Sequence, residues 1–181
     1  MNYLSEVMSY SLQRSYHNWK KLPGEFPIGD KIQFLLFTTF IVVWIGDIFL
    51  KVTTWLNEYI PLIIRLFLGL PCILISYLLL RQSEKELFFN TTPFNEPVQF
   101  GIYQHCRHPM YLGVLIFHIG LGLISISLIG WILILITIFF YNFLVNYEER
   151  KLIEKYDVKY QKYMEIVPKW IPKLRKHRIQ K

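Results

Sequence analysis

Two groups of polar residues have the side chains of a ligand-binding site, and each lies directly beside a long apolar stretch. The first, within "GIYQHCRHPMYLG", includes His105, Arg107 and His108, and the second is Glu148 and Glu149. Cationic side chains bind anionic groups, whereas carboxylates accept hydrogen bonds from hydroxyls and offset cations. Together the two groups suit a ligand that carries both an anionic group and a ribose.

Pro109 follows the first group and predicts that a helix begins there. Proline is well tolerated at the first helical position, because an N–H at that position would have no partner in any case. The free N–H groups and partial positive charge of such a terminus attract a carboxylate or phosphate, and Arg107 and His108 add to this attraction. Charged residues beside an apolar span also act simply as topology signals, so spacing alone leaves both interpretations open.

The apolar stretches indicate that membrane-spanning helices position these polar groups. Apolar residues make up 53% of the 181-residue chain, and a helix needs roughly 20 of them in succession to cross a bilayer. The uncharged run from Tyr111 to Tyr147 would measure about 55 Å as one helix, so we predict a hairpin that turns within residues 125–130. The predicted spans are residues 32–50, 61–80, 110–126 and 130–147.

These spans predict an all-α, multi-pass membrane protein with a single membrane domain, residues 31–181. Residues 1–30 are predicted to form an interfacial segment, because apolar residues at helical spacing favour a helix lying on the membrane surface. An amphipathic pattern over residues 148–167 predicts a cytoplasmic helix that continues the fourth span and ends at Pro168. Pro71 lies within the second span, where a kink is expected.

The distribution of lysine and arginine predicts that both termini are cytoplasmic. The tail from Arg150 to Lys181 holds eleven of these residues and the N-terminal flank holds four, whereas the two connections on the other side hold Lys51 alone. Cytoplasmic flanks carry such an excess. The membrane would be a bacterial-type inner membrane or an endomembrane, and both polar groups would meet at the cytoplasmic end of the hairpin.

The same distribution argues against nucleic acid as the partner, despite a net charge of +7. The basic residues flank apolar segments and form no basic face on a soluble domain. The two cysteines, Cys72 and Cys106, give neither a disulfide framework nor a metal-binding pattern. The expected partners are therefore the lipid bilayer and a lipophilic substrate, and no obligate protein partner is indicated.

Four polar residues inside the predicted spans raise further hypotheses. Asp47 and Arg65 are expected at similar depth near the outer surface, where they could pair. His118 and Asn142 are also expected at similar depth, where they could line a pocket or form a packed contact between helices.

The motif G-x-Y-x-x-x-R-H-P-x-Y resembles the integral-membrane methyltransferases, which include isoprenylcysteine carboxyl methyltransferases and phospholipid methyltransferases. The resemblance covers about residues 95–172 and extends to the Glu-Glu pair, Y-x-x-Y and V-P. It implies methyl transfer from S-adenosyl-L-methionine to a lipophilic, membrane-borne acceptor. The residues it implies for cofactor binding are Asn95, Glu96, Pro97, Val98, Tyr103, His108, Pro109, Met110, Tyr111, Glu148 and Glu149.

The acceptor implied by the resemblance is an isoprenylcysteine-type carboxylate or a phospholipid amine. In eukaryotic prenylcysteine enzymes an arginine linked to substrate lies four residues before the acidic residue, where this chain has Leu144. A carboxylate acceptor is already ionised, whereas an amine must lose a proton, in which His105 or a tyrosine could assist. His105 and Arg107 are the candidate catalytic residues.

Two other functions remain open at this stage. Membrane sterol reductases that use NADPH share an R-H-P-x-Y element, although typically with asparagine where this chain has Met110. A non-catalytic membrane scaffold that kept the fold is the other alternative, because a fold does not determine a function.

Overall fold

The computed structural model describes residues 28–89 and 96–172, and within these ranges the chain forms helices and loops without a strand. This confirms the all-α class. The predicted interfacial helix before residue 28 and the tail after residue 172 lie outside the described residues. The helices are α1 (Gly29–Leu50), α2 (Leu62–Glu84), α3 (Pro109–Ser125), α4 (Leu128–Tyr156) and α5 (Val158–Ile166). Shorter 3₁₀ turns lie at Trp55–Glu58 and Gly101–Gln104, and a π-helical turn at Lys85–Phe89 follows α2.

Three segments are long and apolar enough to cross a membrane, namely Lys31–Leu50, Leu62–Leu87 and Leu128–Tyr156. Only 11% of the first and of the second apolar window is buried inside the protein. Helices that expose apolar side chains to this extent are typical of a lipid environment. Helix α3 is equally apolar in character but has 17 residues, so the fourth predicted span stays a prediction.

The predicted hairpin turn is present, and it is shorter than the 125–130 range. Helix α3 ends at Ser125, and Ile126 has a left-handed backbone with φ of 44°. Ser127 then caps α4, since its hydroxyl accepts a hydrogen bond from the N–H of Gly130 at 2.9 Å. A hydroxyl at this position satisfies one of the free N–H groups at the start of a helix.

The prediction of one C-terminal helix over residues 148–167 is wrong. Helix α4 continues to Tyr156, the backbone turns at Asp157 with φ of 47°, and α5 begins at Val158. The turn folds α5 back, so that Tyr160 and Tyr163 pack with apolar residues from the end of α4. The apolar spacing therefore correctly predicted that these residues pack together on one face. Two helices, α4 and α5, contribute to that face instead of one.

Close backbone contact joins α2 to α3. A Cβ atom at Gly69 would lie 2.7 Å from the carbonyl oxygen of Gly120, and the hydroxyl of Ser76 donates to the carbonyl of Gly113 at 2.8 Å. Small residues allow such approach between membrane helices, whose association depends on packing and hydrogen bonds. Helix α2 is continuous through Pro71.

At the other end of the hairpin, Asp47 and Arg65 bind the α3–α4 turn and not each other. Asp47 accepts hydrogen bonds from the hydroxyl of Ser127 and from the N–H of Thr53, the latter at 2.7 Å. The Arg65 guanidinium donates to the carbonyl of Ile124 at 2.8 Å. The predicted ion pair is therefore wrong, because nearby hydroxyl and carbonyl groups supply both partners.

The proposed pocket between His118 and Asn142 is also not formed. The imidazole of His118 is buried, donates through Nδ1 to the carbonyl of Val114 at 2.7 Å, and packs 4.3 Å from the ring of Phe40. Asn142 is exposed, because it follows the buried Tyr141 by one position and so points about 100° away around the helix.

The α2–α3 contact predicts a large stability difference between two glycine substitutions. Gly69→Ala should lower the free energy of unfolding by about 1–3 kcal/mol, because the backbone of Gly120 cannot move away from the new methyl group. Gly46→Ala in α1 is the control, since a Cβ there meets nothing within 4 Å, and it should be neutral or stabilising by up to about 1 kcal/mol. Thermal unfolding in detergent measures both, and equal effects would contradict the close packing.

Candidate functional site

The loop before α3 is held by a glycine turn and by a hydrogen bond to α5. Gly101 has φ of 59°, and a Cβ atom there would overlap the side chain of Glu86. The carbonyl of Tyr103 accepts a hydrogen bond from the hydroxyl of Tyr163 at 2.6 Å. These contacts place the Arg107-His108 segment next to α5 and the end of α4.

Helix α3 begins at Pro109, as predicted, and His108 precedes it as the N-terminal cap residue. The carbonyl of His108 accepts the N–H of Leu112 at 3.1 Å. The preceding N–H groups of the first turn have no partner within a helix. The basic group and the start of α3 therefore lie at one place.

Glu149 is the centre of a buried group of charges. Its Oε1 accepts a hydrogen bond from Nε of Arg107 at 2.8 Å and lies 3.1 Å from Nε2 of His108. Its Oε2 lies 3.2 Å from Nζ of Lys169. The side chains of Arg107 and Glu149 are 8% and 6% exposed. We call Arg107, His108, Glu148, Glu149 and Lys169 the charged cluster.

Glu148 faces a different side of α4 and has different contacts. It accepts a hydrogen bond from the hydroxyl of Tyr111, and its Oε2 lies 3.8 Å from Nδ1 of His108. Because Nε2 of His108 donates to the Glu149 carboxylate, Nδ1 of the neutral ring is an acceptor. His108 Nδ1 and the Glu148 carboxylate thus place two acceptors side by side.

A C-terminal strap, residues 167–170, closes over the charged cluster. Arg107 donates from its backbone N–H to Pro168 at 3.0 Å and from Nη1 to the carbonyl of Val167 at 2.8 Å. The Cys106 thiol is directed at the carbonyl of Trp170, at 3.2 Å. Lys169 of the strap completes the cluster, and sequence reasoning missed it because it reads as one of eleven basic residues in the tail.

Burial sets the protonation states around the cluster. It lowers the pKa of His108 below 6.5, although the hydrogen bond to Glu149 opposes the shift, so the ring is neutral at pH 7. Burial raises the pKa of the Cys106 thiol to about 11. The thiol is therefore protonated and does not have the thiolate character of a nucleophilic cysteine.

Two buried polar atoms near the cluster lack a hydrogen-bond partner among the described residues. They are Nδ1 of His105 and the hydroxyl oxygen of Tyr160. Most buried polar atoms are hydrogen-bonded, and an exception calls for an explanation such as a missing ligand. His105 was a predicted candidate, whereas Tyr160 was not among the predicted site residues.

The remaining predicted residues are distributed around the same loop. Pro97 is buried and Val98 half-buried, whereas Glu96 is exposed and lies 3.4 Å from Nζ of Lys159 on α5. Met110 is half-buried in the first turn of α3. Asn95 lies outside the described residues. Their role in cofactor binding stays a prediction.

A family model described as phospholipid methyltransferase matches residues 64–159, which is more than half of the chain. The chain belongs to this family. In this phospholipid methyltransferase family member, the match runs from α2 to the start of α5. It therefore contains the loop before α3, the α3–α4 hairpin, Glu148 and Glu149. No curated protein matches the chain. Family membership confirms the resemblance to integral-membrane methyltransferases and indicates a methyltransferase enzyme of membrane lipids.

Removing the central carboxylate should destabilise the protein. Glu149→Gln leaves the buried Arg107 and the half-buried Lys169 without their counter-charge, and breaking a buried pair such as Arg107–Glu149 costs about 3–5 kcal/mol. Glu154→Gln is the control, because Glu154 pairs with Lys151 at the surface, where the two side chains are 63% and 43% exposed. Thermal unfolding should show a large loss for the first variant and no measurable change for the second.

Stability should also be greatest between about pH 6.5 and pH 9. The folded pKa of His108 is depressed, so unfolded His108 takes up a proton first and stability falls as the pH drops below about 6.5. The folded pKa of Cys106 is raised, so unfolded Cys106 ionises first and stability falls as the pH rises above about 9.

Unfolding temperatures measured from pH 5 to pH 10.5 check both limits. His108→Gln should flatten the acid side of the profile. Cys106→Ala should reduce the slope on the alkaline side, to which buried tyrosines with raised pKa values, such as Tyr103 and Tyr163, also contribute. If neither substitution changes the slope of unfolding temperature against pH, then His108 and Cys106 are not the groups that cause the pH dependence.

Proposed function

We propose that the protein transfers the methyl group of S-adenosyl-L-methionine to a lipophilic acceptor in the membrane. The observation that carries the proposal is the meeting of Glu148, His108 and the start of α3 at one end of the apolar hairpin, in a member of the phospholipid methyltransferase family. The methyl donor is water-soluble and the acceptor is lipid-borne. A polar site at the end of an apolar helix pair suits both.

The residues present fit this donor. Its ribose hydroxyls and its cationic groups suit the carboxylate of Glu148, and its carboxylate suits the free N–H groups of the first turn of α3. Nδ1 of His105 and the hydroxyl of Tyr160 are buried polar atoms for which residues 28–89 and 96–172 provide no hydrogen-bond partner. The bound donor would supply an electrophilic methyl group, for which no protein nucleophile is required.

The two glutamates have different tasks in this proposal. Glu149 is engaged by Arg107, His108 and Lys169, so it holds the loop and the strap in place. Glu148 is the ligand-facing carboxylate. The chain's contribution to the rate would come from orienting the reactants and excluding water from between them.

A phospholipid amine is the acceptor that the residues favour over an isoprenylcysteine carboxylate. Leu144 is 1% exposed and apolar, so it cannot offer the cation that a carboxylate acceptor would use. The Glu148 carboxylate would repel a second carboxylate at the same place. An amine acceptor must lose a proton, and His105 remains the candidate for receiving it. Arg107 has its Nε and Nη1 groups engaged by the protein, which favours a positioning role.

The proposal includes four spans with both termini in the cytoplasm. Helix α3 would be the additional span, since its 17 residues measure about 25 Å against a bilayer core of about 30 Å. The donor would enter from the cytoplasm and the lipid sideways from the bilayer. The membrane would be a bacterial-type inner membrane or an endomembrane.

Calorimetric titration of S-adenosylhomocysteine into the purified protein in detergent tests the cofactor. Glu148→Gln should weaken binding at least tenfold, because the amide has lost the charge that favours hydroxyl donors and cations. Glu154→Gln on the surface of the same helix should bind as the unaltered protein does. A folded protein without affinity for S-adenosylhomocysteine would overturn the proposal and favour a reductase or a scaffold.

Transfer of label from S-adenosylmethionine into vesicles then identifies the acceptor. Phosphatidylethanolamine vesicles should become labelled, and vesicles that carry a prenylated cysteine with a free carboxylate should not. The opposite pattern would leave methyl transfer intact and overturn the amine acceptor.

A further inference from the structure

The buried side chain of Tyr160 lies near the charged cluster, and the packing of the protein does not explain why it carries a hydroxyl. It lies in α5, one residue beyond the end of the family match at residue 159, and it is 2% exposed. Its ring packs in an apolar group with Tyr163 and Val167. This packing accounts for the ring but not for the hydroxyl.

The hydroxyl of Tyr160 has no hydrogen-bond partner in the part of the chain that the structure describes. An unsatisfied buried hydroxyl is costly, and phenylalanine would fill the same space without that cost. Because bulk water does not reach the oxygen atom, a molecule bound beside the cluster is well placed to provide a partner. The position thus has the properties of a ligand contact.

Tyr163 lies one turn further along α5, and its hydroxyl is hydrogen-bonded within the protein in the same surroundings. It is 3% exposed, and its hydroxyl donates to the carbonyl of Tyr103 at 2.6 Å. The two rings are 5.7 Å apart. The two tyrosines therefore have similar surroundings and differ in one respect. The Tyr163 hydroxyl has a hydrogen bond within the protein, whereas the Tyr160 hydroxyl has none among the described residues.

The electrostatic surroundings connect Tyr160 with the charged cluster. Burial raises the pKa of its hydroxyl, the charges of Glu149 and Glu148 raise it further, and Arg107 lowers it. The hydroxyl thus remains protonated at neutral pH and can donate a hydrogen bond.

We propose that the Tyr160 hydroxyl donates a hydrogen bond to the methyl donor bound at the charged cluster, which makes Tyr160 a binding residue of the site. This inference rests on the proposed function, because it takes S-adenosylmethionine as the ligand. It adds a residue from α5 to a site otherwise built from the loop, the α3–α4 hairpin and the strap. The donor would then contact both α5 and the hairpin.

Tyr160→Phe and Tyr163→Phe test the inference, with S-adenosylhomocysteine as the probe. Tyr160→Phe should raise the dissociation constant about five- to tenfold, as expected for one lost hydrogen bond, and should leave the unfolding temperature without ligand unchanged or higher. Tyr163→Phe should lower that temperature, because it loses a bond within the protein, and should change the dissociation constant less than twofold.

Three outcomes would count against the inference. Equal affinity of Tyr160→Phe and the unaltered protein would show that the hydroxyl does not contact the donor. A fall in unfolding temperature as large as that of Tyr163→Phe would show that the protein itself satisfies the hydroxyl. An unaltered protein that does not bind S-adenosylhomocysteine overturns the proposed function and this inference together, and so differs from the first two results.

Discussion

The site depends on one buried carboxylate, that of Glu149, which joins three separate parts of the chain. Arg107 and His108 reach it from the loop before α3, and Lys169 reaches it from the strap after α5. Each charge would be costly to bury by itself, and together they offset one another. The loop, α4 and the strap therefore adopt their places jointly, and the acceptors beside Glu148 exist only when all three are assembled.

Glu148 and Glu149 can have different tasks because they occupy neighbouring positions on α4. Side chains one residue apart point about 100° away from each other, so Glu149 can be enclosed by protein while Glu148 faces Tyr111 and the start of α3. Two adjacent carboxylates would repel each other if both lacked counter-charges. Arg107 and Lys169 compensate the charge of Glu149, and the proposed role in ligand binding falls to Glu148.

Sequence reasoning could predict the parts of the structure that local chemistry determines. The start of α3 followed from the preference of Pro109 for a first helical position, and the hairpin followed from a run too long for one span. The hairpin in turn explains why the two polar groups meet. Lys169 could not be predicted, because its partner is set by the fold of α5, and the turn at Asp157 has neither a glycine nor a proline to mark it. Asn142 was misplaced because its depth was considered without its direction around the helix.

The α3–α4 turn at the opposite end of the hairpin has a consequence for protein engineering. Ile126 is a β-branched residue in the left-handed region, where such residues are held at a cost of about 1–3 kcal/mol. Asp47 and Arg65 hold the turn in this conformation. The turn lies about 25 Å from the charged cluster, by the length of α3. A residue tolerant of this backbone could therefore make the protein more robust for purification in detergent, at a distance from the chemistry.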